Sequence, residues 1–271
     1  MIKLKDIFII PPDEYDRYRL HFANTNPKNG VNPLTVFLTN KERWKGWNNS
    51  CRKNRIAQSN RNRQHDYIIS FVQYKSDWLF AGVFAIDDKD TTDTDIKEEF
   101  VGRLIISYPG KGREYTPHMK TAWDSLIVKE IRDAPMEFRQ FSGYKTTHLP
   151  FSDLKIIVEN NYRIWREKLE AIKGIYLIYD TADNKSYIGS ATGDAGIWQR
   201  WSEYVSSNAT GGNKLLCELI KEKGKEYPRE NFEFTLLEFY FENQVEDSYI
   251  IERETYWKNV LHSKDAGLNS N

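Results

Sequence analysis

Two tripeptides, Gly174-Ile175-Tyr176 and Tyr187-Ile188-Gly189, stand as near mirror images across ten residues of this 271-residue chain. A hairpin built on them either buries two aromatic rings or offers two phenols to a ligand. A phenol ionises near pH 10, so it accepts a proton at neutral pH only where neighbouring positive charge favours the ionised form. Downstream lies Arg200, a planar and permanently charged fork suited to phosphate oxygens. Farther on is Glu254, a carboxylate suited to Mg²⁺, an ion that keeps most of its waters and takes one or two carboxylates. Glu252 and Glu254 are two residues apart and point about 200° apart on a helix, so one of them faces a site and the other solvent. Phosphodiester cleavage needs these capacities together: an activated water, stabilised charge on phosphate and help for the leaving oxygen. Singly, each residue reads as core packing or a solvated helix face; their order along the chain carries the functional reading.

The elements that must position these residues are short. Residues 174–179 and 186–189 read as strands joined by the turn-forming stretch "DTADNK". Residues 195–207 read as a helix with Ile197, Trp201 and Tyr204 at i, i+4 and i+7, with Asp194 as its cap. Residues 213–224 form a second helix closed by Gly224. Residues 231–240 alternate as a strand, and residues 243–261 form a long third helix before "GLN" at 267–269. The order is β-β-α-α-β-α. At Gly174 and Gly189, absence of a side chain lets the backbone pass close to a neighbour.

With the tripeptide pair intact and these residues in order, residues 174–269 resemble the GIY-YIG nuclease domain. The resemblance implies a small α/β domain and a Mg²⁺- or Mn²⁺-dependent endonuclease. It implies Glu254, marked by Trp257 three residues later, rather than Glu252 as metal ligand, Arg200 on the phosphate, and Tyr204 where the family often places His or Tyr. It further suggests Tyr176 as general base on the attacking water, Tyr187 as its positioning partner, and Asn269 as the last member of the set. Asn269 also suits a hydrogen bond tying the tail to the hairpin.

The rest of the chain is read from pattern alone. Apolar residues make up 39% and charged residues 29%, enough for a packed core. No apolar run reaches the 18 residues of a membrane span, and the N-terminus does not resemble a secretory signal. Cys51 and Cys217 lack metal-type spacing and read as free thiols, which suits a cytoplasmic protein. Residues 34–38, 67–74, 78–86 and 100–108 read as strands, residues 87–95 as a solvated acidic loop, and residues 151–160 as a helix capped by Ser152. The expected class is α+β, with a β-rich unit over 1–168 and the nuclease-like unit over 169–271. Net charge is zero, yet residues 1–170 carry +5 and residues 171–271 carry −5, a split that suggests two jobs.

The strongest basic run spans residues 41–63, with Lys41, Arg43, Lys45, Arg52, Lys53, Arg55, Arg61 and Arg63 against Glu42 alone. Trp44 and Trp47 interleave with it, and its amides, Asn48 and Asn49 among them, are suited to base edges. The expectation is a two-unit nuclease that holds double-stranded DNA through the first unit, of restriction or defence type, with a homodimer as one route to a double-strand break. The alternatives are a homing- or repair-type nuclease, or a non-cleaving nucleic-acid-binding protein on the same scaffold.

Overall fold

The computed structural model describes residues 1–25, 30–51, 66–86, 91–109 and 116–270, the side chains of Ser50, Cys51 and Thr91 excepted. These residues divide into two compact units, Met1–Phe138 and Arg139–Asn271.

The first unit holds β1 (Tyr18–Ala23), α1 (Pro33–Thr39), α2 (Lys41–Cys51), β2 (Tyr67–Tyr74), β3 (Asp77–Ile86), β4 (Thr91–Asp93), β5 (Leu104–Ser107), α3 (Met119–Ala122) and β6 (Ile127–Ile131). The sheet order is β1-β2-β3-β5-β6, with β4 added on β3. β1 and β2 are parallel and the other pairs antiparallel. A parallel pair needs a long crossover, and here it carries α1, α2 and the basic run. Both sheet faces are covered, one around Phe22, Phe71, Phe80 and Trp123 and the other around Trp44, Ile68, Val72 and Leu79. That double burial is why β2 and β3 read as nearly unbroken apolar runs.

Three expectations change here. Residues 34–38 are not a strand but lie in α1. The Asn32 side chain accepts from the Leu34 N–H at 2.8 Å and Pro33 takes the first helical position, a start signal that outweighs the β-branched composition. Thr91–Asp93, inside the expected acidic loop, pairs with β3 as β4. Trp44 and Asn48 are buried in the core and turn away from any base edge. The Trp44 indole N–H donates to the Ala81 carbonyl at 3.3 Å. Asn48 accepts from the Ser70 hydroxyl, lies 2.8 Å from His21 Nδ1, and donates to the Trp44 carbonyl at 3.1 Å. These bonds pin α2 to the sheet and leave Lys41 and Arg43 on its exposed side.

The second unit holds β7 (His148–Pro150), α4 (Phe151–Glu159), α5 (Arg163–Glu170), β8 (Ile172–Asp180), β9 (Lys185–Ala191), α6 (Gly196–Ser206), α7 (Lys214–Lys223), α8 (Tyr227–Asn231), β10 (Phe232–Phe241) and α9 (Asp247–Val260). Its antiparallel sheet runs β7-β10-β8-β9, which leaves β9 at an edge. The expected β-β-α-α-β-α order is present, with α8 as an added single turn. Pro150 and Ala195, rather than Ser152 and Asp194, occupy the N-cap positions of α4 and α6, and neither start has a side-chain cap. Cys217 is an exposed free thiol. No described helix is long and apolar enough to cross a membrane.

The division at Phe138/Arg139 falls well before the expected boundary near 168. β7 adds to the second sheet through β10, and Leu149, Phe151, Leu154, Ile157 and Trp165 sit in one core with Tyr176 and Trp201. The Trp165 indole N–H also donates to the Arg139 carbonyl at 2.7 Å. Residues 139–170 therefore supply a wall of the second core. A fragment starting at Arg139 is expected to unfold cooperatively by circular dichroism. One starting at residue 169 loses several side chains worth about 1.5–3 kcal/mol each and is expected to show no cooperative transition.

Candidate active site

The β8–β9 register places Tyr176 opposite Gly189 and Ile178 opposite Tyr187. Alternation then sends Tyr176, Ile178, Tyr187 and Gly189 to one face, and Ile175, Ile188 and Ser190 to the other. Each glycine of the tripeptides answers a close approach. A β-carbon on Gly189 would overlap the Tyr176 phenol. A β-carbon on Gly174 would overlap the Glu238 carbonyl, pushed inward by a bulge between Leu236 and Glu238 in β10.

On the first face, α6 packs with Ile197, Trp201 and Tyr204 fully buried, the stripe its spacing implied. The Tyr176 hydroxyl is within 3.2 Å of the Tyr204 hydroxyl. Arg200 reaches both: its Nε donates to Tyr176 at 3.1 Å and its Nη2 to Tyr204 at 3.4 Å. Nη2 also donates to the Gly211 carbonyl, while Nη1 pairs with Glu203 at 2.7 Å. The Tyr187 ring meets the Tyr204 ring edge to face, centroids 6.3 Å apart. Tyr176, Tyr187, Arg200 and Tyr204 thus form one cluster.

The electrostatics of the cluster are set by burial. Desolvation pushes the Tyr176 phenol well above its ordinary range, the Tyr187 phenol adds to that, and the Arg200 guanidinium opposes it. Burial raises Tyr204 in the same way, with Tyr176 and Tyr187 adding to the shift. Desolvation alone would lower Arg200, but the two phenols and Glu203 more than offset it, so the fork stays charged. Both Tyr176 and Tyr204 are protonated at neutral pH.

Glu254 lies on the second face. α9 packs there through Ile250 against Ile175 and Ile188. The Ser190 hydroxyl donates to Glu254 Oε2, and Lys258 Nζ is 2.8 Å from Oε1. Among the described residues these are the polar partners of Glu254; the phenols and Arg200 are not among them. The expected site is therefore divided between the two faces of the sheet rather than gathered in one cluster, with Gly189 beneath the Tyr176 phenol and the adjacent Ser190 beneath Glu254. Glu252 is exposed.

Asn269 is a clamp. Its side chain accepts from the Ile188 N–H and donates to the Ile188 carbonyl, both at 2.8 Å, so the tail completes the outward-facing backbone of edge strand β9. The same alternation turns the Ser190 N–H toward that edge. Sequence reasoning passed over Ser190, Glu203, Lys258 and, above all, Glu238. The Glu238 carboxylate accepts from Arg253 Nε at 3.0 Å, from the Trp257 indole at 2.8 Å, and from Tyr240 at 2.5 Å. Trp257 was legible as a marker of Glu254; its task is to fasten α9 to β10.

Among the described residues no group of three or more His, Cys, Asp or Glu is placed to hold a metal ion. Of the basic run, Lys41, Arg43 and Lys45 lie on α2, the first two exposed; Arg52, Lys53, Arg55, Arg61 and Arg63 lie outside the described residues.

Residues 172–269 match the family model of the GIY-YIG catalytic domain. Over 96 residues the chain is 34% identical to intron-associated endonuclease 1 of Enterobacteria phage T4, across 35% of this chain and 36% of that protein. The chain thus spans about a third of the length of the curated relative it matches. Two solved structures are similar. The catalytic domain of the homing endonuclease I-TevI is 32% identical over 36% of this chain and 98% of that one, with a TM-score of 0.28. A point mutant of the catalytic domain of intron endonuclease I-TevI is 29% identical over 37% and 94%, with a TM-score of 0.29.

The Arg253 guanidinium and its neighbours hold the Glu238 carboxyl down at about 2, against an ordinary value of 4.5. A depressed native value means that the unfolded chain binds the proton first as pH falls. The stability Glu238 contributes is complete above about pH 4.5 and lost between there and pH 2. Thermal melts from pH 6 to 3 are expected to show a smaller acid loss in Glu238→Gln than in the wild type, from a lower starting melting temperature. Parallel curves would remove Glu238 as the anchor of α9.

Proposed function

We infer, from a chain whose residues 172–269 are a GIY-YIG catalytic domain, that this protein is a metal-dependent endonuclease acting on double-stranded DNA. The single observation behind this reading is the convergence of a charged guanidinium and two phenols within hydrogen-bond distance, one β9 residue from a carboxylate. A phosphodiester lying over the β9 edge at Gly189–Ser190 would be flanked by Arg200 on one face and Glu254 on the other.

Arg200 would bind the phosphate oxygens and exchange its Glu203 partner for them. Tyr176 is assigned the general base and Tyr187 its positioning partner, with Arg200 as the cation favouring the ionised phenol. Since the resting protein keeps Tyr176 protonated, the rate is expected to rise with pH through the neutral range. Tyr204 holds Tyr176 and the fork in place, and Asn269 holds β9. Glu254 is the metal ligand; its donor set fits Mg²⁺ or Mn²⁺, with a carboxylate that already faces a cation and a hydroxyl beside it. Such an ion, when bound, supplies charge stabilisation for the phosphoryl and leaving oxygens.

The relatives are an intron-associated and a homing endonuclease, which favours the homing-type alternative over the restriction or defence role expected at first. DNA is assigned to the basic run of the first unit, Lys41, Arg43 and Lys45 on α2 together with Arg52, Lys53, Arg55, Arg61 and Arg63. If six of these met phosphates, log affinity would fall with log salt at a slope of about −5. One such site per chain cuts one strand, so a double-strand break requires a second copy or a second encounter.

Purified protein with Mg²⁺ is expected to nick or cut plasmid DNA in preference to a matched RNA duplex. Arg200→Ala and Glu254→Gln are each expected to lower the rate about 100-fold or more. Full activity in both variants would refute the site. Salt-sensitive DNA binding with no cleavage under any divalent ion would favour the non-cleaving alternative.

A further inference from the structure

We propose that Lys258 is a resident cation at Glu254 and sets that carboxylate's affinity for a divalent metal; this rests on the reading of Glu254 as the metal ligand. Lys258 follows Glu254 by one helical turn, and its ammonium is 2.8 Å from Oε1. Many such pairs on helix surfaces are solvated and nearly neutral in energy. This one is enclosed, with the Lys258 side chain 11% exposed and the Glu254 side chain 18% exposed. An ammonium that covered is held by its carboxylate and is poorly placed to reach a phosphate in solution. The remaining oxygen, Oε2, accepts from the Ser190 hydroxyl. Both carboxylate oxygens are therefore engaged in the resting protein.

A divalent ion at Glu254 must displace one of these partners. The Ser190 hydroxyl is neutral and can rotate to present a lone pair. The Lys258 ammonium carries like charge and has no lone pair to offer, so it is the partner that leaves. Metal binding at Glu254 is then an exchange of a tethered monovalent cation for a free divalent one. Removing the tethered charge leaves a poorly solvated carboxylate without a counter-ion, which raises its affinity for any cation supplied from solution. Among the described residues no group of three or more His, Cys, Asp or Glu is placed to hold a metal, so Lys258 has a large share in setting affinity before nucleic acid arrives.

The test is Mn²⁺ binding to the full chain without nucleic acid, read from the free-Mn²⁺ electron paramagnetic resonance signal. Thermal melts verify folding. Lys258→Met and Lys258→Gln are compared with wild type; the glutamine amide can still donate to Glu254 and serves if the methionine variant does not fold. Both are expected to bind Mn²⁺ at least about fivefold more tightly, a shift near 1 kcal/mol, and Glu254→Gln is expected to abolish binding in either background. Unchanged or weaker Mn²⁺ binding in a folded Lys258 variant, with Glu254→Gln still abolishing it, overturns the role of Lys258 and leaves the metal-ligand reading standing. Mn²⁺ binding that survives Glu254→Gln overturns both.

Discussion

The candidate site depends on a single register, Tyr176 opposite Gly189 in the β8–β9 pair. Gly189 has no side chain, so the Tyr176 phenol lies across it and reaches Tyr204 and Arg200. A slip of one residue between the strands would part the two phenols, turning Tyr187 toward α9 and Ile188 toward α6 while Tyr176 stayed in place. Three features hold the register. Gly174 admits the β10 bulge on one side, the Asn269 amide completes β9 on the other, and the buried stripe of α6 fits only the aromatic face. The tripeptide pair is thus a packing rule as much as a chemical one. Each glycine makes room for a neighbouring group, and each tyrosine is locked by contacts that leave its ring little freedom.

The charges at the site are answered within the chain. Arg200 pairs with Glu203 one turn along α6, and Glu254 pairs with Lys258 one turn along α9. The Tyr176 and Tyr204 phenols are held protonated by burial. A folded protein cannot leave a half-buried charge unpaired without a large desolvation cost, and on the proposed reading these partners stand in for the phosphate and the metal. Local i,i+3 and i,i+4 partners suit this task because they can move aside without disturbing the helix backbone. The site is organised in geometry and quiescent in charge.

The second unit was legible in the sequence because its signals are local. Alternation gave the strands, the i, i+4, i+7 spacing of Ile197, Trp201 and Tyr204 gave α6, and the turn-forming stretch gave the hairpin. What escaped was set by distant contacts. Residues 151–160 read correctly as a helix, but nothing local says that Phe151, Leu154 and Trp165 pack under the second sheet. Residues 34–38 are apolar and β-branched, yet the Asn32–Pro33 start overrode that composition. Trp44 and Asn48 sit in a basic run, where sequence alone assigns them to the ligand; burial on the sheet-facing side of α2 assigns them to the core. In the site, Ser190 and Lys258 became visible only when Glu254 acquired neighbours.

Glu238 and Glu254 show why a perturbed carboxylate is not by that fact a functional one. Glu238 is the acid held down at about 2, and every force on it comes from donors inside the fold: Arg253, Tyr240 and the Trp257 indole. With its acceptor capacity filled by groups that also fix β10 to α9, it has little left for a ligand, and displacing any donor would loosen the helix. Glu254, on α9 itself and facing β9, has a neutral hydroxyl and a single lysine ammonium as its partners. α9 is thus joined to the sheet through two carboxylates of different kinds, Glu238 of β10 with its acceptor capacity filled and its own Glu254 with two partners. On the proposed reading the first supports the second: a carboxylate that exchanged its lysine for a metal would keep its place only if its helix stayed fixed, and the Glu238 contacts fix it.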